Sequence, residues 1–314
     1  MLDNNYKLTS SVFNKTNLPK GTYQNPLVEG ADPFVLMHNG KYYLYSSNAD
    51  DGFKVFSSDD MSNWEDCGYC LKKDDVIGEK WFWAPEITYK NGKFYMVYAA
   101  EEHLAIAVAD SPLGPFIQKQ KKWLFEDKAI DGHFFVDDDG ITYLYYVHIN
   151  NGNEIYMAKM SEDLSCVDMQ SIHFLIRAEE EWELKDWNVV EGPFVLKYKG
   201  KYYLTYSANH TRCQDYAVGY AVSESPYGPF IKYEKNPILH KDENNGVYGT
   251  GHHSFTRSAD GKELICVYHR HNSTKDYQPR LTCIDRANFE INENGETILV
   301  VYGPTVTPQK NFNF

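Results

Sequence analysis

Three acids stand in settings that suit chemistry. Asp32 precedes Pro33, Asp131 precedes Gly132, and Glu191 precedes Gly192-Pro193. A carboxylic acid that gives up a proton, opposite a carboxylate that activates water, is the pairing that hydrolyses a glycosidic bond. A lone Asp-Pro step ordinarily caps a turn or accepts backbone N–H groups at a strand start. Three acids at matching places in a repeated pattern, near Phe34, Trp81 and Trp83, favour chemistry over capping. The other candidates are histidines. In Tyr268-His269-Arg270-His271, strand alternation puts His269 and His271 on one face. There they either shape a substrate pocket or serve as hydrogen-bonded core groups. Metal catalysis by His252, His253 and His271 lacks support, because no helical His-x-x-x-His or carboxylate partner accompanies them.

The elements that must position these residues repeat along the chain. Asp32-Pro33-Phe34-Val35-Leu36 leads through Asn39-Gly40 to Lys41-Tyr42-Tyr43-Leu44-Tyr45. Equivalent runs start at Ala84-Pro85-Glu86, Asp131-Gly132-His133, Glu191-Gly192-Pro193 and His252-His253-Ser254, with turns at Asn91-Gly92, Asp139-Gly140, Lys199-Gly200 and Asp260-Gly261. Asn-Gly and Asp-Gly are hairpin turns, since glycine accepts positive φ and such turns match strand twist. The turn glycines fall about 50–60 residues apart, the length of a propeller blade. A second signature follows the hairpins: Ser111-Pro112-Leu113-Gly114-Pro115-Phe116 matches Ser225-Pro226-Tyr227-Gly228-Pro229-Phe230. It marks the turn from a third strand to an outer edge strand, where proline is tolerated. The expectation is an all-β, five-bladed β-propeller forming a single domain over 1–314, with residues 1–25 packed on it. The three acids are expected at equivalent blade positions, around one channel mouth.

Composition narrows the partners. The net charge is −13, from 31 Lys and Arg against 44 Asp and Glu. This argues against nucleic acid and against an anionic membrane surface, and suits a neutral substrate. No run is long and apolar enough to span a bilayer. The polar segment Met1 to Lys20 lacks the apolar core of a signal peptide, so a cytoplasmic location is expected, or an extracellular one if a leader has been removed. Six cysteines are expected as free thiols, and Cys67-x-x-Cys70 is half of a zinc pattern with no second half.

The motifs Ala31-Asp32-Pro33-Phe34, Trp83-Ala84-Pro85-Glu86-Ile87, Ile130-Asp131-Gly132-His133-Phe134, Val190-Glu191-Gly192-Pro193-Phe194 and Gly249-Thr250-Gly251-His252-His253-Ser254 occur in order at blade spacing. From about Asn25 to Pro308 the sequence resembles family 43 of the glycoside hydrolases. The resemblance implies Asp32 as general base, Glu191 as general acid, and Asp131 as the residue that orients Glu191 and raises its pKa. It implies that Phe34 and Trp83 wall the sugar subsite, with Glu86 of the same motif among the binding residues, and that Arg280 contacts the terminal sugar and an acid. His269 joins them as a candidate pocket residue. His252 resembles a central-channel histidine near a structural calcium ion. No organic cofactor is expected.

The implied substrate is an arabinose- or xylose-containing oligosaccharide. The expected reaction is inverting, exo-acting release of a terminal pentose, as an α-L-arabinofuranosidase ahead of a β-D-xylosidase or a dual enzyme. Fructan hydrolases usually open with Asn-Asp-Pro, which Ala31-Asp32 breaks. A phosphorylase would need a basic phosphate pocket. A non-catalytic sugar-binding propeller is the rival from outside enzymology.

Overall fold

The computed structural model describes residues 11–13, 15 and 17–312. These form five antiparallel sheets arranged as a β-propeller. The first contains Ala31–His38, Lys41–Ser47, Gly52–Ser58 and Glu65–Lys72. The second contains Trp83–Lys90, Lys93–Ala100 and His103–Ala109; its outer strand is reduced to a bridge between Val108 and Ile117. Ala129–Val136, Thr142–Ile149, Asn153–Met160 and Val167–Ile176 make the third, and Val190–Tyr198, Lys201–Ala208, Ala217–Ser223 and Ile231–Lys232 the fourth. The fifth has Gly251–Arg257, Leu264–Arg270 and Leu281–Ile291. Its outer position is shared by Thr297–Val301 and by Val28–Glu29 from the other end of the chain. Among the described residues, no helix is long and apolar enough to cross a membrane.

The strands alternate inward and outward residues, and both faces of each blade are covered by neighbours, so the apolar core lies between blades. Tyr45, Phe53, Phe94 and Tyr98 fill the first junction, while Val35, Leu44, Ile265 and Ile284 fill the junction between the fifth and first blades. The repeated Ser-Pro-x-Gly-Pro-Phe loops receive tyrosines from the preceding blade. Tyr45 donates its hydroxyl to the Pro112 carbonyl at 2.6 Å, and Tyr145 donates to the Pro226 carbonyl at 2.9 Å. Buried tyrosine thus keeps its polar end satisfied while its ring packs.

Residues 1–10, 14 and 16 of the expected N-terminal segment lie outside the described residues. Within the described part, the Phe13 N–H donates to the Leu27 carbonyl at 2.8 Å, and Lys15 Nζ donates to the carbonyls of Gln24 and Asn25. Thr22–Tyr23 pairs with Gln309–Lys310, which brings an early and a late segment of the described residues together.

Candidate active site

The inner strand of every blade carries the same irregularity. The register slips between Ala31 and Phe34, Trp83 and Glu86, Ile130 and His133, Glu191 and Phe194, and Gly251 and Ser254. The residue after each slip has positive φ: Asp32 at 52°, Ala84 at 45°, Asp131 at 54°, Gly192 at 55° and His252 at 42°. For a non-glycine residue this conformation costs about 1–2 kcal/mol and persists only where neighbours fix it. The bulge re-aims a side chain, which is how strand starts come to present acids at the channel.

The bulges correct the expected register. Asp32, Asp131 and His252 are equivalent, but Glu191 is not their counterpart; that position in the fourth blade is Gly192. Glu191 stands one residue earlier, with Ala31, Trp83, Ile130 and Gly251. A one-residue offset along a strand reverses a side chain's direction, so the acid enters the site differently from the two aspartates.

Hydrogen bonds across blade junctions hold these bulges. Ser47, Ser207 and His269 lie opposite Ala31, Glu191 and Gly251 in the ladders. Each accepts an N–H from the positive-φ residue of the next blade: Ala84 to Ser47 Oγ at 2.9 Å, His252 to Ser207 Oγ at 2.8 Å, and Asp32 to His269 Nδ1 at 3.1 Å. Between the third and fourth blades the equivalent residue is Val147, which cannot accept. Here Asp131 Oδ2 takes the Gly192 N–H at 3.1 Å.

Asp32 is buried and well supplied with donors. Arg280 Nη1 donates to its Oδ1 at 2.7 Å, Ser47 Oγ donates to its Oδ2 at 2.6 Å, and His252 Nδ1 lies 3.3 Å from Oδ1. Burial alone would raise its pKa, but the Arg280 guanidinium, followed by His252, His269 and the Ser47 hydroxyl, holds it well below the usual carboxylate range. These partners favour the ionised form of Asp32.

Glu191 is the opposite case. Tyr216 donates its hydroxyl to Oε1 at 2.8 Å, and Asn153 Nδ2 donates to Oε2 at 3.1 Å. Burial is the largest influence and, with the charge of Asp32, pushes its pKa up to about 7 against the lowering effects of Tyr216, Arg280 and Asn153. Asp131 is raised well above the carboxylate range by burial and then by the charges of Glu191 and Asp32.

The remaining expected residues fall in distinct places. Phe34, Glu86, His133, Phe194 and Ser254 share the position just past the bulge, so Phe34 and Glu86 line the channel one step along from Asp32. Glu86 accepts from His133 Nδ1 at 2.5 Å, while His133 Nε2 accepts the Val195 N–H; burial raises the Glu86 carboxyl. This carboxyl faces a histidine of the channel wall. Trp83 is half-buried and stacks on the more exposed Trp81, with ring centroids 5.9 Å apart. Arg280 reaches Thr211 Oγ1 at 3.2 Å as well as Asp32, and among the described residues its buried Nε has no partner.

His269 is corrected from pocket wall to support. It is fully buried behind Asp32, stacked on Tyr216 at 5.6 Å, and offers no surface to a sugar. His271 shares that face, as alternation requires, and its Nε2 meets the Thr211 carbonyl at 2.8 Å. His252 stands between the aspartates, 3.9 Å from Asp131 Oδ2, and burial pushes its pKa down. The channel beside it leaves about 20 Å³ for water. Among the described residues, no three His, Cys, Asp or Glu side chains converge to hold an ion. Calcium takes about 6–8 oxygen ligands, so this donor set does not fit a calcium ligated directly by protein.

Sequence reasoning missed Ser47, Ser207, Tyr216, Asn153 and Thr211. The two serines had a signal: Leu44-Tyr45-Ser46-Ser47 and Leu204-Thr205-Tyr206-Ser207 align as the second strands of their blades. The other three sit on the third strands or in loops, outside the repeated motifs.

The sequence profile described as Glycosyl hydrolases family 43 matches residues 23–295. The solved structure of an endo-1,4-β-xylanase from Bacteroides thetaiotaomicron VPI-5482 is 41% identical, with a TM-score of 0.83, covering 91% of this chain and 97% of that one. The β-D-galactofuranosidase xynD of Aspergillus niger is 29% identical, covering 88% of this chain and 84% of that protein. An extracellular exo-α-(1→5)-L-arabinofuranosidase of Streptomyces avermitilis is 28% identical; 81% of this chain aligns, spanning 57% of that protein.

Proposed function

The chain belongs to family 43 of the glycosyl hydrolases, and on that footing we propose that it removes a terminal pentose from a plant-type glycan, with inversion at the anomeric carbon and α-L-arabinofuranose as the released sugar. The observation that carries this reading is the opposed state of two carboxyls in one site: Asp32 is held ionised by Arg280, and Glu191 is pushed up to about 7. An inverting glycosidase needs that division, because one group must hold a proton while the other accepts one.

In this reading Asp32 removes a proton from water as the water attacks the anomeric carbon. Glu191 gives its proton to the leaving oxygen. Arg280 keeps Asp32 charged and steers it, and Asp131 positions Glu191 through the Gly192 N–H. Trp81 and Trp83 offer apolar ring faces to the sugar, and Phe34 closes the channel beneath it. A calcium ion in the channel would be held through water and would support geometry near His252.

Proton NMR of early products from arabino-oligosaccharides beside xylo-oligosaccharides tests the proposal. The expected result is free arabinose as the inverted anomer. A retained anomer would end the role given to Asp32. The second reading is cleavage of a xylan, favoured by the endo-1,4-β-xylanase name of the 41% identical structure. Xylose as the faster product would establish it, and internal cleavage of either chain would remove the exo assignment.

A further inference from the structure

Glu191 has two sides. Its Oε1 faces Tyr216, which stacks on the His269 that supports Asp32. Its Oε2 accepts from Asn153, a residue that also lines a separate cleft. That cleft lies between the turn at Asn150–Glu154 and the segment before the fourth blade, and holds about 270 Å³ open to water. This is close to the lower end of small-molecule clefts, about 300 Å³, and has room for a sugar ring.

The lining is specific in kind. Asn150, Asn151, Asn153 and Asn188 all reach it. Among the described residues, the side-chain amides of Asn150, Asn151 and Asn188 have no hydrogen-bond partner, whereas the Asn153 amide is spent on Glu191. A carboxamide carries both donors and an acceptor. That is the complement of vicinal hydroxyls, each of which gives and takes a hydrogen bond. The charged members cancel: Arg177 lies 3.6 Å from both Glu154 and Glu179. The backbone beneath is fixed, since the Asn153 N–H donates to the Asn188 carbonyl at 3.0 Å and a Cβ on Gly152 would stand 2.4 Å from that oxygen.

A general acid sits between the sugar being released and the group that leaves. The Asp32 side of Glu191 takes the released sugar, so the Asn153 side must face the leaving group. We propose that this asparagine-lined cleft binds the leaving-group sugar, an uncharged, hydroxyl-rich residue of the glycan, and that it sets the preference for oligosaccharide over simple glycosides. The proposal rests on the assignment of Glu191 as the acid.

The test compares the unaltered chain with the double variant Asn150→Ala/Asn188→Ala. Both changes leave the backbone bonds in place. KM is measured for a nitrophenyl pentoside, which has no leaving-group sugar, and for the matching pentose-terminated oligosaccharide. The ratio of oligosaccharide KM to nitrophenyl pentoside KM should rise roughly tenfold in the variant, as loss of two hydrogen bonds implies. An unchanged ratio in a folded variant would overturn the cleft assignment. Should the unaltered chain cleave no pentoside, the functional reading fails instead. Calorimetric titration of arabino- and xylo-oligosaccharides then decides the cleft: binding weakened by the double substitution upholds it, and equal binding overturns it.

Discussion

Arg280 Nη1 lies 2.7 Å from Asp32 Oδ1, and this contact decides the charge of the proposed base. Removing one partner of a buried ion pair leaves the other uncompensated. In Arg280→Ala the Asp32 pKa should climb into the ordinary carboxylate range or above it. Activity of the variant should then fall as pH drops through that range, where the unaltered enzyme still works. Mispositioning adds a loss of about 10²-fold in kcat/KM. A pH–rate profile whose acidic side matches that of the unaltered enzyme would rule out Arg280 as the group holding Asp32 ionised.

The acid and base should separate by leaving group. Glu191→Gln cannot protonate the departing oxygen, so natural oligosaccharides should lose roughly 10²–10⁴-fold in rate. Substrates with an acidic phenol need little protonation and should lose much less. Asp32→Asn should cripple both alike, because water must be activated in either case. The reverse pattern would exchange the two roles.

Glu191 must be protonated to act, and its pKa is pushed up to about 7. The basic limb of kcat/KM should therefore lie near neutrality, with activity lost as pH rises through it. Asp131 is itself raised well above the carboxylate range. In Asp131→Asn the amide is uncharged like the protonated acid and can still accept the Gly192 N–H, so this limb should stay near neutrality. A limb that moves to lower pH would show that Asp131 carries a negative charge beside Glu191.

The same raised pKa has a consequence for stability. A group with a raised folded pKa contributes stability below its unfolded pKa, about 4.3 for glutamate, and loses it as pH rises through the folded value. Glu191→Gln never ionises. Thermal melts should show the variant gaining on the unaltered chain between about pH 4 and pH 8. Parallel melting curves across that window would contradict the burial-driven shift.

His269 should matter through Asp32. His269→Phe keeps a ring against Tyr216 but leaves the Asp32 N–H without its acceptor. An unsatisfied buried donor costs about 1–3 kcal/mol, so Tm should fall by several degrees. Turnover should fall with it, while the basic limb stays where Glu191 sets it. A variant as stable and active as the parent would show that the bulge holds without this bond.

The repeat was legible because hairpin turns and apolar alternation are local. Each Gly turn falls where the sequence pattern places it, and each inner strand begins one or two residues ahead of the pattern's start. The acids were legible because they interrupt that repeat. The offset of Glu191 shows in sequence only as an extra residue before the following phenylalanine, Glu191-Gly192-Pro193-Phe194 against Asp32-Pro33-Phe34, and the motif does not tell which of these residues the bulge turns to the channel. His269 reads as a pocket residue in sequence because alternation gives a face and not what covers it. Asn153 enters the site from the start of a third strand and Tyr216 from the loop just before one, and neither carries a motif. Their reach to Glu191 depends on how neighbouring blades abut, which no local pattern encodes.

Asp32 lies three residues beyond Val28–Glu29, the short strand from the N-terminal end that completes the fifth blade against Leu281–Thr282. Its partners His269 and Arg280 come from that same last blade, 237 and 248 residues away. Contacts this distant in sequence are formed only after long loops have closed, and such closures are slow. The individual hairpins can form early, but the base has neither its charge partner nor its backbone acceptor until the ring shuts. On refolding, strand content should therefore return before hydrolysis does. The emerging chain likewise stays without a complete site until its final blade has been made.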